Sequence, residues 1–172
     1  AIVRIIAAYW LIMAMFGRLS MLSALISFGS ATDVHAEQKA YGATATGITL
    51  AASLVVIVVV QSIVQFTSFL QPAVESALTI ITFGLPFACL AEVYMGSLQA
   101  RGKFVLAGRA AILYGVVPLI VIALTTWRFD LEGWIAGKIL AELMIFSVLL
   151  YFCYDWVNLK YWCTDKLYQL LA

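Results

Sequence analysis

Residues 53–60 read SLVVIVVV, a run that lies inside the longer apolar stretch Tyr41–Phe66. Branched residues of this kind favour a β-strand in a protein that folds in water. The whole stretch, however, exceeds the roughly 20 apolar residues that a helix needs to cross a bilayer. Because lipid offers no hydrogen bonds to the backbone, an isolated segment satisfies its own N–H and C=O groups there only as a helix. We therefore predict a membrane-spanning helix over these residues.

The composition of the whole chain indicates the same environment. Of its 172 residues, 65% are hydrophobic and 11% are charged, and the mean hydropathy is +1.04. Soluble domains average about 45–50% apolar and about 25% charged residues, so this chain has too few charges to cover a surface that faces water. These values exclude a cytosolic enzyme, a disordered chain and a secreted disulfide scaffold. The net charge of +1 gives no electrostatic reason to expect nucleic acid as a partner.

The length of the chain allows about five such helices with short connections. We predict an all-α integral membrane bundle of about five transmembrane helices over residues 1–154, followed by a C-terminal interfacial helix. The predicted spans are residues 2–30, 41–66, 74–98, 104–127 and 133–154. Residues 155–172 carry apolar side chains at near-helical spacing among charged ones, which is typical of an amphipathic helix at the membrane surface.

The polar segments between the spans indicate an orientation. We predict loops over Ala31–Ala40, which contains the single histidine, His35, and over Gln99–Lys103. With five spans, Arg4 and Arg128 fall on one side of the membrane. Six cations fall on the other side: Lys39, Arg101, Lys103, Arg109, Lys160 and Lys166. Because an excess of Lys and Arg marks the cytoplasmic side, the pattern predicts an N-terminus outside and a C-terminus in the cytoplasm.

Four ionisable side chains fall within the predicted spans, namely Arg18, Glu92, Lys138 and Glu142. Such groups are unfavourable in hydrocarbon and usually face a bundle interior or a cavity, where they act in ion or substrate coupling. Lys138 and Glu142 are four residues apart and share one helix face, so they either neutralise each other, with Lys138 reaching toward the surface, or serve an ion site. Arg18 either pairs with Glu92 or Glu142 between helices, or contributes its charge to a cavity.

Glu92 is the strongest of these candidates for ion coupling. It follows Gly84 and Pro86 in the third span, and Pro86 lacks the N–H that a helix interior requires. We expect this proline to bend the helix and to free backbone carbonyls that help to bind a cation. Pro118 is expected to bend the fourth span in the same way. A buried carboxyl group such as Glu92 also suits proton coupling.

Residues that carry enzyme chemistry are not grouped in this sequence. Cys89, Cys153 and Cys163 form no C-x-x-C pair, and His35 has no clustered partner of the kind that metal sites require. Nucleophile–base pairs and phosphate-binding glycine loops are also absent. We therefore predict a protein that is not an enzyme and has no cofactor, and any active transport then depends on an ion gradient or on another subunit.

Three segments resemble a known family of transporters. Phe83–Lys103 reads FGLPFACLAEVYMGSLQARGK, with a Gly-x-Pro followed by a helix that ends in L-Q-A-x-G-K. This pattern resembles the fourth and tenth helices of the multidrug and toxic compound extrusion transporters and their polysaccharide flippase relatives. Phe69–Ala77 (FLQPAVESA) is similar to the short outside loop of that superfamily, and Leu131–Ala141 (LEGWIAGKILA) to the opening of its sixth and twelfth helices. Gly17 and the loop around Asp33–Gly42 loosely resemble the second helix of that superfamily and its cytoplasmic exit, so the resemblance covers roughly residues 14–154 in serial order.

The resemblance implies one incomplete lobe of a secondary-active transporter with twelve helices in two lobes. It implies a second lobe or another protein chain as partner, a small-molecule or lipid-linked substrate, and coupling to a proton or sodium ion in a bacterial inner membrane. The alternative is a non-transporting anchor or scaffold subunit, in which all four buried charges are structural pairs. A membrane enzyme that acts on lipids is a third, weaker alternative, because it needs clustered acids or histidines.

Overall fold

The computed structural model describes residues 2–18, 21–31, 35–66, 71–155 and 157–171, except for the side chains of Arg18 and Leu171. Within these ranges all regular structure is helical. In chain order the α-helices are α1 (Ile2–Arg18), α2 (Met21–Ser30), α3 (His35–Phe66), α4 (Pro72–Ile81), α5 (Leu85–Ala100), α6 (Phe104–Cys153) and α7 (Thr164–Leu171).

Four helical stretches in the described part of the chain are long and apolar enough to cross a membrane. They are Ile2–Ser30, His35–Phe66, Pro72–Ala100 and Phe104–Cys153. Many large apolar side chains on α3 and α6 are exposed, among them Val55, Val58, Leu119 and Leu124, as expected where lipid is the solvent. The prediction of an all-α membrane bundle with a short C-terminal helix is confirmed.

The helix α6 is about twice as long as a membrane span because it contains a reversal. Phe129 and Asp130 leave the helical region, and Asp130 has a positive φ of 50°. A Cβ atom added to Gly133 would collide with the carbonyl oxygen of Thr125, and one on Gly137 with the hydroxyl oxygen of the same threonine. In a straight helix, Gly133 would lie about 12 Å from Thr125 along the axis and Gly137 about 18 Å from it. The second arm, residues 131–153, therefore folds back on the first arm, residues 104–128.

The third stretch changes helix type in its middle. Thr82–Gly84 form a 3-10 turn between α4 and α5, and Pro86 lies in the first turn of α5, where its missing N–H is not needed. The proline thus marks a junction between two helices. Pro118, by contrast, lies inside the first arm of α6. The dihedral angles of α6 leave the helical region at residues 129 and 130 and not at the proline, where the bend was expected.

The helix α5 lies at the centre of the bundle. It packs against α1, α2, α3 and α6, and Leu85, Cys89, Ala91 and Leu98 on it have no exposed surface. Phe87 and Tyr94 of α5 contact Phe146 of the second arm, with ring centroids 5.4 and 5.6 Å apart. The buried core therefore lies along α5. The helices that pack around α5 determine the surroundings of the ionisable residues.

Two predicted loops are shorter in the structure. Helix α3 begins at His35, so the second half of the predicted loop Ala31–Ala40 is helical. Residues 36–40 read AEQKA, and all of these residue types are strong helix formers that extend α3 beyond its apolar part. Helix α5 continues to Ala100, which leaves residues 101–103 as the turn, with Gly102 at a φ of 67°.

The predicted amphipathic helix over residues 155–172 is also shorter, because α7 covers only Thr164–Leu171. A 3-10 turn, Leu159–Tyr161, precedes it. The Thr44 hydroxyl of α3 donates to the Cys163 carbonyl and accepts from the Cys163 N–H, both at 3.2 Å. The Trp162 ring lies against Gly47, where a Cβ atom would collide with it. Residues 162 and 163 are therefore held against α3 and lie outside the helix α7.

Candidate functional site

The two ionisable residues of the second arm form an ion pair inside the bundle. Lys138 Nζ contacts Glu142 Oε1 one helical turn away, and the two side chains are 20% and 5% exposed. At 1.5 Å per residue, residue 138 lies about 11 Å from the start of the second arm and residue 142 about 16 Å from its end. The pair therefore lies near the middle of this apolar helix.

Trp10 of α1 covers the pair from the neighbouring span. Its ring centroid is 5.2 Å from Lys138 Nζ, which is within the range of a cation–π contact. A Cβ atom on Gly84 would lie 3.3 Å from Trp10 Cη2 and 3.2 Å from Ile139 Cγ1. The missing side chain at residue 84 therefore lets α1, the 3-10 turn and the second arm meet next to the pair. Lys138 stays beside Glu142 and Trp10 instead of extending toward the surface.

The second carboxylate oxygen of Glu142 is the unusual feature of this site. Oε2 is buried, and it accepts no hydrogen bond from the part of the chain that the structure describes. A buried polar atom without a partner is unfavourable by about 1–3 kcal/mol, and by more for a charged group. Such an atom requires a specific explanation, and a bound proton, cation or water molecule satisfies it chemically.

A second polar contact stabilises the 3-10 turn beside the pair. Gln61 of α3 donates from Nε2 to the Thr79 carbonyl at 3.0 Å and to Thr82 Oγ1 at 2.8 Å. Thr82 Oγ1 in turn donates to the same Thr79 carbonyl at 2.9 Å. This role of Gln61 was not predicted from the sequence. The signal for it is the pair of amides Gln61 and Gln65, which are four residues apart and share a face at the end of an apolar run.

Glu92, on α5, is not part of the ion pair on the second arm. It is half-buried, and it makes contacts with other polar or charged groups. Cys89 lies about one turn before Glu92, and a Cβ atom added to Gly17 of α1 would lie 2.8 Å from Cys89 Sγ. Gly96 lies about one turn after Glu92, and a Cβ atom added to it would lie 2.8 Å from Leu22 Cδ1 of α2. Glu92 therefore belongs to the surface where α5 meets the first stretch.

The structure thus separates the predicted site residues into two places. Lys138 and Glu142 are together, whereas Glu92 lies between the contacts of α5 with α1 and α2. Arg18 is the last residue of α1. Its side chain, and hence its predicted pairing with Glu92 or Glu142, lies outside the described residues.

Two open cavities lie away from the ion pair. An apolar groove of about 640 Å³ runs between α1 and α3, where Met13, Phe16 and Val59 line it. A second cleft, of about 650 Å³, lies beside the turn at residues 101–103. Neither is lined by Lys138, Glu142 or Glu92. In this conformation neither cavity therefore leads to the ion pair.

Neither metal ligation nor similarity to known proteins adds to this site. Among the described residues, no group of three or more His, Cys, Asp and Glu side chains is placed to hold a metal ion. No protein-family model, curated protein or solved structure matches the chain. The resemblance to the extrusion transporters therefore rests on the sequence segments alone.

Proposed function

We propose that this chain is one helical bundle of a secondary-active membrane transporter, either an ion-coupled drug exporter or a lipid-linked flippase. The observation that carries the proposal is the buried Lys138–Glu142 pair near the middle of an apolar helix, with Glu142 Oε2 unpartnered among the described residues. Ionisable residues at membrane depth are unfavourable, and where they occur they commonly mark ion or substrate pathways.

In this mechanism Glu142 holds the coupling ion. A proton or sodium ion taken up at Oε2 neutralises the carboxylate and weakens its attraction to Lys138. The 3-10 turn Thr82–Gly84 lies next to the pair and gives the third stretch a point at which α4 and α5 can change their relative position. Glu92 supplies further charge where the first stretch meets α5.

The proposal includes a second bundle and an orientation. Secondary transporters move one bundle against another around a site near the middle of the membrane, so a second lobe or another chain is required. The excess of Lys and Arg in the predicted loops supports an N-terminus outside and a C-terminus in the cytoplasm. The resemblance to the extrusion transporters is the reason to propose a bacterial inner membrane. The substrate is a small molecule or a lipid-linked one.

The alternative is a non-transporting anchor or scaffold subunit. The dense packing around the pair favours it, because Glu142 is 4% exposed and neither of the two cavities is lined by this residue. In that case Lys138 and Glu142 only connect two turns of one helix, and Trp10 covers them.

Transport by the reconstituted protein separates these functions. The full chain, purified with the chains that accompany it, is placed in liposomes under an imposed proton or sodium gradient. Ethidium uptake and the flipping of a fluorescent polyprenyl-phosphate lipid are then measured. We expect gradient-driven movement of one probe, and we expect Glu142→Gln and the double variant Lys138→Met/Glu142→Leu to abolish it.

Glu75→Gln is the matched control, since Glu75 is an exposed carboxylate in the first turn of α4. We expect this variant to transport like the unmodified protein. If neither probe moves, or if the gradient drives both Glu142 variants as well as the unmodified protein, the anchor function is favoured.

A further inference from the structure

A cleft at the end of the second arm has chemical features that the transport proposal does not use. It lies between the turn at residues 101–103 and residues 147–155, and it has a volume of about 650 Å³. This is room for about twenty water molecules at about 30 Å³ each. Because α5 and the second arm both end here and α6 begins here, the cleft lies at one end of the apolar helices, where a membrane meets water.

The charges that line the cleft are mainly positive. Arg101 and Lys103 face one carboxylate, that of Asp155. Burial lowers the pKa of Arg101 from its ordinary value, whereas Cys153 and Asp155 act in the opposite direction. Arginine nevertheless stays protonated in proteins, so the cleft holds a partly desolvated guanidinium. Loss of water strengthens the attraction of such a group for an anion.

The walls of the cleft combine phenol groups with apolar side chains. Tyr151 and Tyr154 are 81% and 62% exposed, and their hydroxyl groups are able to donate hydrogen bonds at the rim. Leu150 and Phe152 line the same cleft. Tyrosine at the end of an apolar helix is typical of the interface with lipid headgroups.

We propose that this cleft binds the phosphate group of an anionic phospholipid. Lys103 contacts the phosphate, and Arg101, whose Nε and Nη1 atoms are buried, attracts it through its charge. The tyrosines border the headgroup. Leu150 and Phe152 contact the first part of the acyl chains. A free phosphate ion offers the same chemistry to the two cations, but it makes no use of the apolar wall. The combination of both features therefore favours the lipid.

Lipid binding by the full chain tests the proposal directly. Native mass spectrometry in detergent measures the affinity for phosphatidylglycerol and for phosphatidylcholine of the same acyl chains. We expect tighter binding of phosphatidylglycerol, with a loss of about fivefold for Lys103→Gln and about 25-fold for Arg101→Gln/Lys103→Gln. Lys103 is exposed, so its single variant keeps the test valid if the double variant does not fold.

The control is Arg4→Gln/Arg128→Gln, which removes the same charge from exposed positions outside the cleft. We expect it to bind phosphatidylglycerol like the unmodified protein. Equal binding of the two lipids, or an equal loss in both double variants, overturns the proposal. Displacement of phosphatidylglycerol by millimolar inorganic phosphate, which then binds alone, assigns the cleft to free phosphate and overturns the lipid assignment.

Discussion

At residue 142 the chain places a carboxylate among apolar side chains. Ala141 and Ile145 beside it are buried, and Lys138 is the charged group that it contacts among the described residues. Removal of one member of a buried ion pair leaves an uncompensated charge, whereas replacement of both by apolar residues of similar size is often neutral. The pair is therefore expected to behave as a unit.

A double-mutant cycle measures this coupling. We expect Glu142→Leu and Lys138→Met each to lower the free energy of unfolding by about 3–5 kcal/mol. The double variant Lys138→Met/Glu142→Leu should lie within about 1 kcal/mol of the unmodified protein. Reversible unfolding of the detergent-solubilised chain, followed by helical circular dichroism, gives the three values. If the effects of the single variants add in the double variant, the pair is not coupled and the account of the site is wrong.

At the scale of elements, the reversal in α6 depends on two glycines. Gly133 and Gly137 are four residues apart, so they share one face of the second arm, and that face contacts Thr125 and Ile122 of the first arm. Small residues at this spacing let two membrane helices approach closely. A larger side chain at either position would push the arms apart.

Gly137→Ala tests this packing. Its Cβ atom would meet the Thr125 side chain and would lie 3.1 Å from the Cα atom of Ile122, which cannot rotate away. We expect a loss of about 1–3 kcal/mol in the free energy of unfolding. Gly115→Ala in the first arm is the control, because nothing lies within 4 Å of its Cβ position. That variant should be stabilised by about 0.5–1 kcal/mol. Equal effects of the two substitutions would show that the arms do not pack through residue 137.

The sequence predicts elements well where the cause is local. The apolar stretches predict the helices, and the gap between the predicted fourth and fifth spans, residues 128–132, contains the reversal at Phe129 and Asp130. The tail is different, because Cys163 bonds to Thr44, which is 119 residues away. No local pattern contains that contact, and the predicted helix was therefore too long at its start.

At the scale of the molecule, the same distinction applies to the candidate site. Composition alone indicates the membrane, and the spacing of Lys138 and Glu142 alone indicates that they share a face. The contact of Trp10 with the pair depends on how α1 packs against the second arm. The contact of Gln61 with the turn beside the pair depends on how α3 packs against the third stretch. These partners could not be predicted from a single span.

The transport account requires that water or an ion reaches Glu142 in the assembled protein. The most direct measurement is the reactivity of a cysteine at residue 142 toward a hydrophilic methanethiosulfonate reagent, after the native cysteines are replaced by alanine. The references are Glu75→Cys, exposed near the start of α4, and Met144→Cys, exposed on the apolar second arm. We predict that the cysteine at residue 142 reacts at a rate between those two, because water reaches this position. A rate as slow as that at residue 144 would contradict the transport proposal.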